Sequence, residues 1–179
     1  TDAVTLASTG GTLGLTGNVT GTLVTLNGAT TVTAAQTNTA GSTIFNNAVA
    51  LNNDVTALND VTFNGAVTLG VAARAITATN GSIDLNANVL GGQDLTLTAN
   101  NGTVYATTIG TGTPVAALVI AANAAELGGA IDATSVNTTG VGLTTITNDI
   151  TITATGAAGI LLGALTGANT PTLTANNPG

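Results

Sequence analysis

Residues 76–104 read ITATNGSIDLNANVLGGQDLTLTANNGTV, and the alternation inside this stretch decides the fold class. Ile83/Leu85 and Leu95/Leu97 are aliphatic pairs two residues apart, with Asp84 or Thr96 between them. Positions i and i+2 of a strand share one face, so each pair marks a short strand with one buried side. The strands are punctuated by Asn80-Gly81, Gly91-Gly92 and Asn101-Gly102. Asn and Gly are expected there because both tolerate positive φ in turns.

Working outward, the same unit recurs along the chain. Phe45-Asn46-Asn47-Ala48-Val49-Ala50-Leu51 matches Phe63-Asn64-Gly65-Ala66-Val67-Thr68-Leu69 at a shift of 18, and Leu26-Asn27-Gly28-Ala29-Thr30 matches the first of these at 19. Val4-Thr5-Leu6 returns as Val24-Thr25-Leu26 at 20, and Leu95–Asn100 returns as Leu118–Asn123 at 23. Residues 15–26 resemble 85–97, and Leu173–Asn177 repeats Leu97–Asn101. Strand starts at 4, 24, 43, 61, 76, 95, 118, 150 and 172 give a mean spacing of 21 residues. The interval of 32 between 118 and 150 reads as an insertion or an unaligned coil.

Self-similarity at this period is the signature of a repeat architecture. Asn-Gly between strands is also a two-residue hairpin signal. Hairpins, however, give no reason for whole units to resemble one another every twenty residues. Three short strands plus three corners need about 20 residues, the length of one β-helix coil. The expectation is therefore an all-β parallel β-helix of about eight or nine coils, a single β-solenoid over 1–179 and a rod ~40 Å long. One coil cannot bury enough apolar surface to fold alone, so stability must come from its neighbours. Val115–Leu127 has helix-forming composition, but its match to Leu95–Asn100 favours strand.

Composition then limits the chemistry. Thr, Ala, Gly and Asn supply 114 of 179 residues, while His, Cys, Lys, Met and Trp are absent. Without His, Cys or Lys there is no Ser/His/Asp triad, Schiff base, ordinary zinc site or P-loop lysine. A net charge of −7 with Arg74 as the single cation argues against nucleic acid as partner. No apolar run reaches the 18 residues of a membrane span, so no membrane insertion is expected, and no signal peptide is visible. At 44% hydrophobic with three prolines, the chain is apolar enough for a core. With only Phe45, Phe63 and Tyr105 as aromatics, that core is expected to be aliphatic.

The acids are the remaining candidates for chemistry. Asp60, Asp94 and Asp149 each directly precede a strand start, and Asp54 resembles them. Asp at such corners accepts backbone N–H bonds, the structural reading adopted for all of them. Asn27, Gly28, Asn64, Gly65, Asn80, Gly81, Asn101 and Gly102 are the corresponding structural turn residues. No spacing singles out a carboxylate pair for glycoside hydrolysis, and the acids have only Arg74 for company. Neither an EF-hand loop nor the calcium-binding nonapeptide occurs; Leu90-Gly91-Gly92-Gln93-Asp94 is the nearest approach. No enzyme, cofactor or metal is expected. Four Asn-x-Ser/Thr sequons (Asn18, Asn80, Asn101, Asn137) fall near chance for this composition. Thr-x-Thr triplets such as Thr31/Thr33, Thr77/Thr79, Thr96/Thr98 and Thr151/Thr153 could array on one face and bind ice, but Thr is also the ordinary polar residue of an exposed strand.

The units 76–104 and 24–34 (VTLNGATTVTA) resemble the repeats of filamentous-haemagglutinin-type exoproteins, most clearly over 15–110. The resemblance implies a right-handed parallel β-helix, an extracellular or cell-surface location, and adhesive or matrix-building roles. It supplies no catalytic residues. Those proteins run far longer and carry an N-terminal secretion cap that is not evident here. Neither 1–4 nor 171–179 offers a capping helix or charged segment. The chain is therefore expected to be a piece of a longer shaft or a subunit that self-associates end to end into a filament. A glycan- or surface-binding adhesin module is the alternative.

Overall fold

The computed structural model describes residues 2–176. All regular structure among them is β, and every paired strand runs parallel to its neighbour. The chain winds through three faces per coil, and each face stacks on the equivalent face of the next coil. On the first face the pairing runs Val4↔Val24↔Thr43↔Val61↔Ile83↔Val104↔Ala125↔Thr144↔Leu165, so steps of 18 to 22 residues link nine rungs. The second face holds Leu13–Leu15, Thr30–Val32, Val49–Leu51, Val67–Leu69 and Val89–Leu90. It continues through the bridges Val89↔Ile109 and Ile109↔Ile131 to Ile152 and Leu173. The third face starts at Gln36–Asn38 and stacks Val55–Ala57, Arg74–Ala78 and the opening halves of Leu95–Ala106 and Val115–Leu127. This is a parallel β-solenoid.

The repeats recognised in the sequence are literal stacking partners. Val4 lies on Val24, Leu26 on Phe45, Phe45 on Phe63, Leu51 near Leu69 across the same register, and Leu95 on Leu118. Val115–Leu127 is a strand of 13 residues, as its match to the preceding unit indicated. The 21-residue ruler nevertheless changed face twice. Starts 4, 24, 43 and 61 belong to the first face, 76, 95 and 118 to the third, and 150 and 172 to the second. The interval from 118 to 150 thus contains no insertion. It spans the complete coil that includes Ile131–Ile146 and a change of face. Likewise, Leu97 and Leu173 repeat in sequence but lie on different faces. All three faces demand the same alternation, so similarity alone cannot tell them apart.

From Thr30–Val32 onward each three-residue strand buries its first and third residues and turns the middle one outward, as in Val55-Thr56-Ala57 and Ile83-Asp84-Leu85. The buried set is continuous along the axis from Leu15 to Ile152. It is mostly aliphatic, but not purely so. Phe45 and Phe63 are fully buried and stack one rung apart, with centroids at 4.7 Å and planes 3° from parallel. Because register places identical side chains over one another, flat rings can continue the stack where two coils align. Polar groups also enter the interior near the N-terminal end. Residues 16–20 form no strand on the third face, and two side-chain amides hold that irregular segment. Gln36 Nε2 donates to the Gly17 carbonyl (2.5 Å), and Asn38 Oδ1 accepts from the Gly21 N–H (3.2 Å) while its Nδ2 donates to the Ser42 carbonyl (3.0 Å). Satisfied in this way, buried amides cost little and fix where the first full coil begins.

Candidate functional site

The corners carry most of the residues singled out in the sequence, and they form columns along the axis. Asn27, Asn46, Asn64 and Asn86 each end a first-face strand at the same corner. Asn46 Nδ2 donates to Asn27 Oδ1 (2.6 Å), Asn64 Nδ2 to Asn46 Oδ1 (2.8 Å) and Asn86 Nδ2 to Asn64 Oδ1 (2.9 Å). The result is a four-residue amide ladder in which each rung is both donor and acceptor. Asn46 also reads as a turn residue through the Asn46-Asn47 dipeptide, whereas Asn86 was not singled out because it precedes alanine. The spacing of 18 to 22 residues, at or directly after the strand end, is the signal that finds all four. Asn80-Gly81 and Asn101-Gly102 belong to a different corner, between the third and first faces, where Asn101 Nδ2 donates to Asn80 Oδ1 (3.3 Å).

The glycines at these corners serve a purpose other than the one expected. None of Gly28, Gly65, Gly81 and Gly102 has positive φ; among the described residues that conformation is confined to Gly91, Gly110, Gly112, Gly159 and Gly167. Their constraint is space. A Cβ on Gly65 would collide with the Asn47–Ala48 backbone, and one on Gly102 with the backbone of Gly81 and Ser82. One on Gly81 would meet Asp60. At Gly28 the fit is tight but less severe, with Ser8 Cβ at 3.1 Å. Glycine is needed because successive coils approach backbone to backbone at the corner. No hairpin occurs in the described pairings, all of which are parallel. Nor does Asn101-Gly102 end a strand: pairing continues through Leu95–Ala106, with a register shift between Ala99 and Thr103 absorbing the bend.

The corner aspartates accept backbone N–H groups, and the donors lie in the following coil. Asp54 Oδ1 accepts from Ala75 (2.9 Å), Asp60 Oδ1 from Ser82 (2.9 Å), Asp94 Oδ1 from Ala117 (2.9 Å) and Asp149 Oδ1 from Thr170 (3.4 Å). Asn18 Oδ1 does the same for Thr37 (2.9 Å). Each is a staple between consecutive coils, with the charge-assisted strength of a carboxylate acceptor where Asp is used. Asp60 is further tied to Ser42, whose hydroxyl donates to Oδ2 (3.3 Å). Among the described residues no group of three acids is placed to hold a metal ion. No described helix is long and apolar enough to cross a membrane.

The outward columns differ in character from face to face. On the third face Thr37, Thr56, Thr77 and Thr98 stack over four rungs and give way to Ala121 and Gly140. The companion column reads Ala75, Thr96, Val119 and Asn137. On the first face the outward column begins Thr5, Thr25, Ile44, Thr62 and then becomes Asp84, Tyr105, Glu126 before returning to Thr145 and Thr166. Burial holds the Asp84 carboxyl above the ordinary carboxylate range; the Thr62 hydroxyl that donates to Oδ2 (3.2 Å) opposes this and the Asp60 charge reinforces it. Arg74, by contrast, is spent on the third face, where its Nε donates to the Leu51 carbonyl (3.0 Å) and its Nη1 to that of Ala73 (2.7 Å).

Fold and corner columns together define a parallel β-solenoid stapled by side chains from coil to coil. No protein-family model matches the chain, and no match was found among curated proteins or solved structures.

Proposed function

We propose that this chain is a non-catalytic structural subunit or segment of an extracellular or cell-surface fibre, extended by solenoid stacking and serving adhesion or matrix formation. The observation that carries the reading is the form of the last described rungs. Leu165 and Leu173 are exposed by 43% and 50%, although the residues they stack on, Thr144 and Ile152, are fully buried. A further rung, supplied by continuing chain or by a second copy, buries these leucines and pairs the open strand edges. The resemblance of 24–34 and 76–104 to filamentous-haemagglutinin-type repeats supports the surface location and the adhesive role. The absence of Lys and His and the use of Asp54, Asp60, Asp94 and Asp149 as staples favour a scaffold over an enzyme.

The test is assembly of the purified 179-residue chain. Light scattering at rising concentration should show growth, and electron microscopy should show unbranched fibres of solenoid width. Leu165→Asp, which places a charge on the end surface, should abolish growth while leaving the circular dichroism spectrum intact. A chain that stays monomeric at high concentration and forms no fibres overturns the self-assembly reading.

A further inference from the structure

The first-face column changes from Thr to Asp84, Tyr105 and Glu126 beside the corner where the asparagine ladder ends. Above Asn86 that corner column continues as Thr107, Gly128 and Thr147, each donating its backbone N–H to the strand end of the coil below. The side chain therefore shrinks from amide to hydroxyl to hydrogen, and a groove of about 160 Å³ opens. It is lined by Asn86, Tyr105, Thr107, Glu126, Gly128 and Thr147.

Apart from the Tyr105 hydroxyl and the second Asn86 N–H, the hydrogen-bonding capacity left in this groove is accepting. Asn86 donates to Asn64, and no described residue donates to Asn86 Oδ1, which is the open end of the ladder. The Thr107 and Thr147 hydroxyls donate to the Leu85 and Leu127 carbonyls and keep only their lone pairs free. Glu126 adds a carboxylate. The single basic side chain, Arg74, is engaged on another face, so no described side chain neutralises it. A sugar hydroxyl both donates and accepts, and it would find few donors here. An ammonium group donates three hydrogens and accepts none. The aromatic ring of Tyr105, one rung from Glu126, supplies the quadrupole that attracts such a cation.

We propose that this groove binds a primary alkylammonium group, whether on a free polyamine or on a lysyl side chain. Glu126 is the counter-ion, Tyr105 the wall, and Asn86, Thr107 and Thr147 the acceptors. Gly128 keeps the groove open, since a Cβ there would stand 3.1 Å from Thr147 Oγ1.

Tyr105 is the only Tyr in a chain without Trp, so its fluorescence reports this groove and nothing else. The experiment titrates the full chain with spermidine and with Nα-acetyl-lysine amide, against n-butanol and methyl glucoside as neutral controls. Saturable quenching or enhancement by the amines at millimolar concentration, with no response to the neutral controls, is expected. Added salt should weaken it, and Glu126→Gln should weaken it about tenfold, the loss of one charge-assisted contact. The tighter of the two amines identifies the source. No saturable response to either amine overturns the proposal. So does an equal response to the neutral controls, or unchanged affinity in a Glu126→Gln protein whose circular dichroism matches the parent.

Discussion

At the scale of single residues, the solenoid turns ordinary side chains into periodic ones, and burial then acts on those that carry charge. Asp84 stands in an outward column yet is only partly exposed, and desolvation raises its carboxyl pKa. The folded state therefore holds the proton more tightly than the unfolded chain does. The stabilising contribution of the protonated form is fully present below the ordinary carboxylate range. It is lost as pH rises through that range to the raised folded value. Asp84→Asn retains an oxygen to accept from Thr62 and removes the titration. Urea midpoints of parent and variant should coincide near about pH 3, with the variant the more stable near about pH 7. A variant that is less stable at neutral pH would contradict the burial argument.

At the scale of the element, corners rather than strands set the strictest demands on sequence. A strand accepts any alternation of aliphatic and small polar residues, as Val55-Thr56-Ala57 and Leu95-Thr96-Leu97 show. A corner must let two backbones touch. Gly102 sits against the Gly81 carbonyl, whereas Gly92 has nothing within 4 Å of where a Cβ would be. Gly102→Ala should cost about 2 kcal/mol or more, because rigid backbone must move to admit the methyl group. Gly92→Ala should stay within about 0.5 kcal/mol of the parent in chemical denaturation. Equal effects at the two sites would mean that inter-coil space does not govern these glycines. The dipeptide motifs were legible in the sequence; their physical reason was not, because inter-coil distance is set by partners about twenty residues away.

At the scale of the whole molecule, stability is a sum of coil interfaces. The interior is continuous from Leu15 to Ile152, with the Phe45–Phe63 stack near the N-terminal third. Toward the other end it thins, where Leu165 and Leu173 are half-exposed. In a nearest-neighbour array the end rung has one interface in place of two and opens most readily. In dilute protein, amide hydrogen exchange should be fastest over residues 165–175 and slowest between Phe45 and Ile120. Under conditions that produce fibres, the same C-terminal amides should become protected. Uniform exchange along the rod would refute a stack of separable interfaces.

The sequence by itself determined the class of fold: period-two alternation, a twenty-residue repeat and Asn or Gly at corners together require stacked parallel strands. It also identified true neighbours wherever whole units matched, as with Val4 over Val24 and Leu95 over Leu118. Which of three faces a unit occupies was beyond it, since all faces ask for the same pattern, and the ruler passed from one to another at 76 and at 150. Only the tertiary structure brought Asp84, Tyr105 and Glu126 into one column beside the open end of the asparagine ladder. Those three residues are 21 apart in sequence and share no local motif. Coil length, which is a property of three strands and three corners together, is what makes them adjacent.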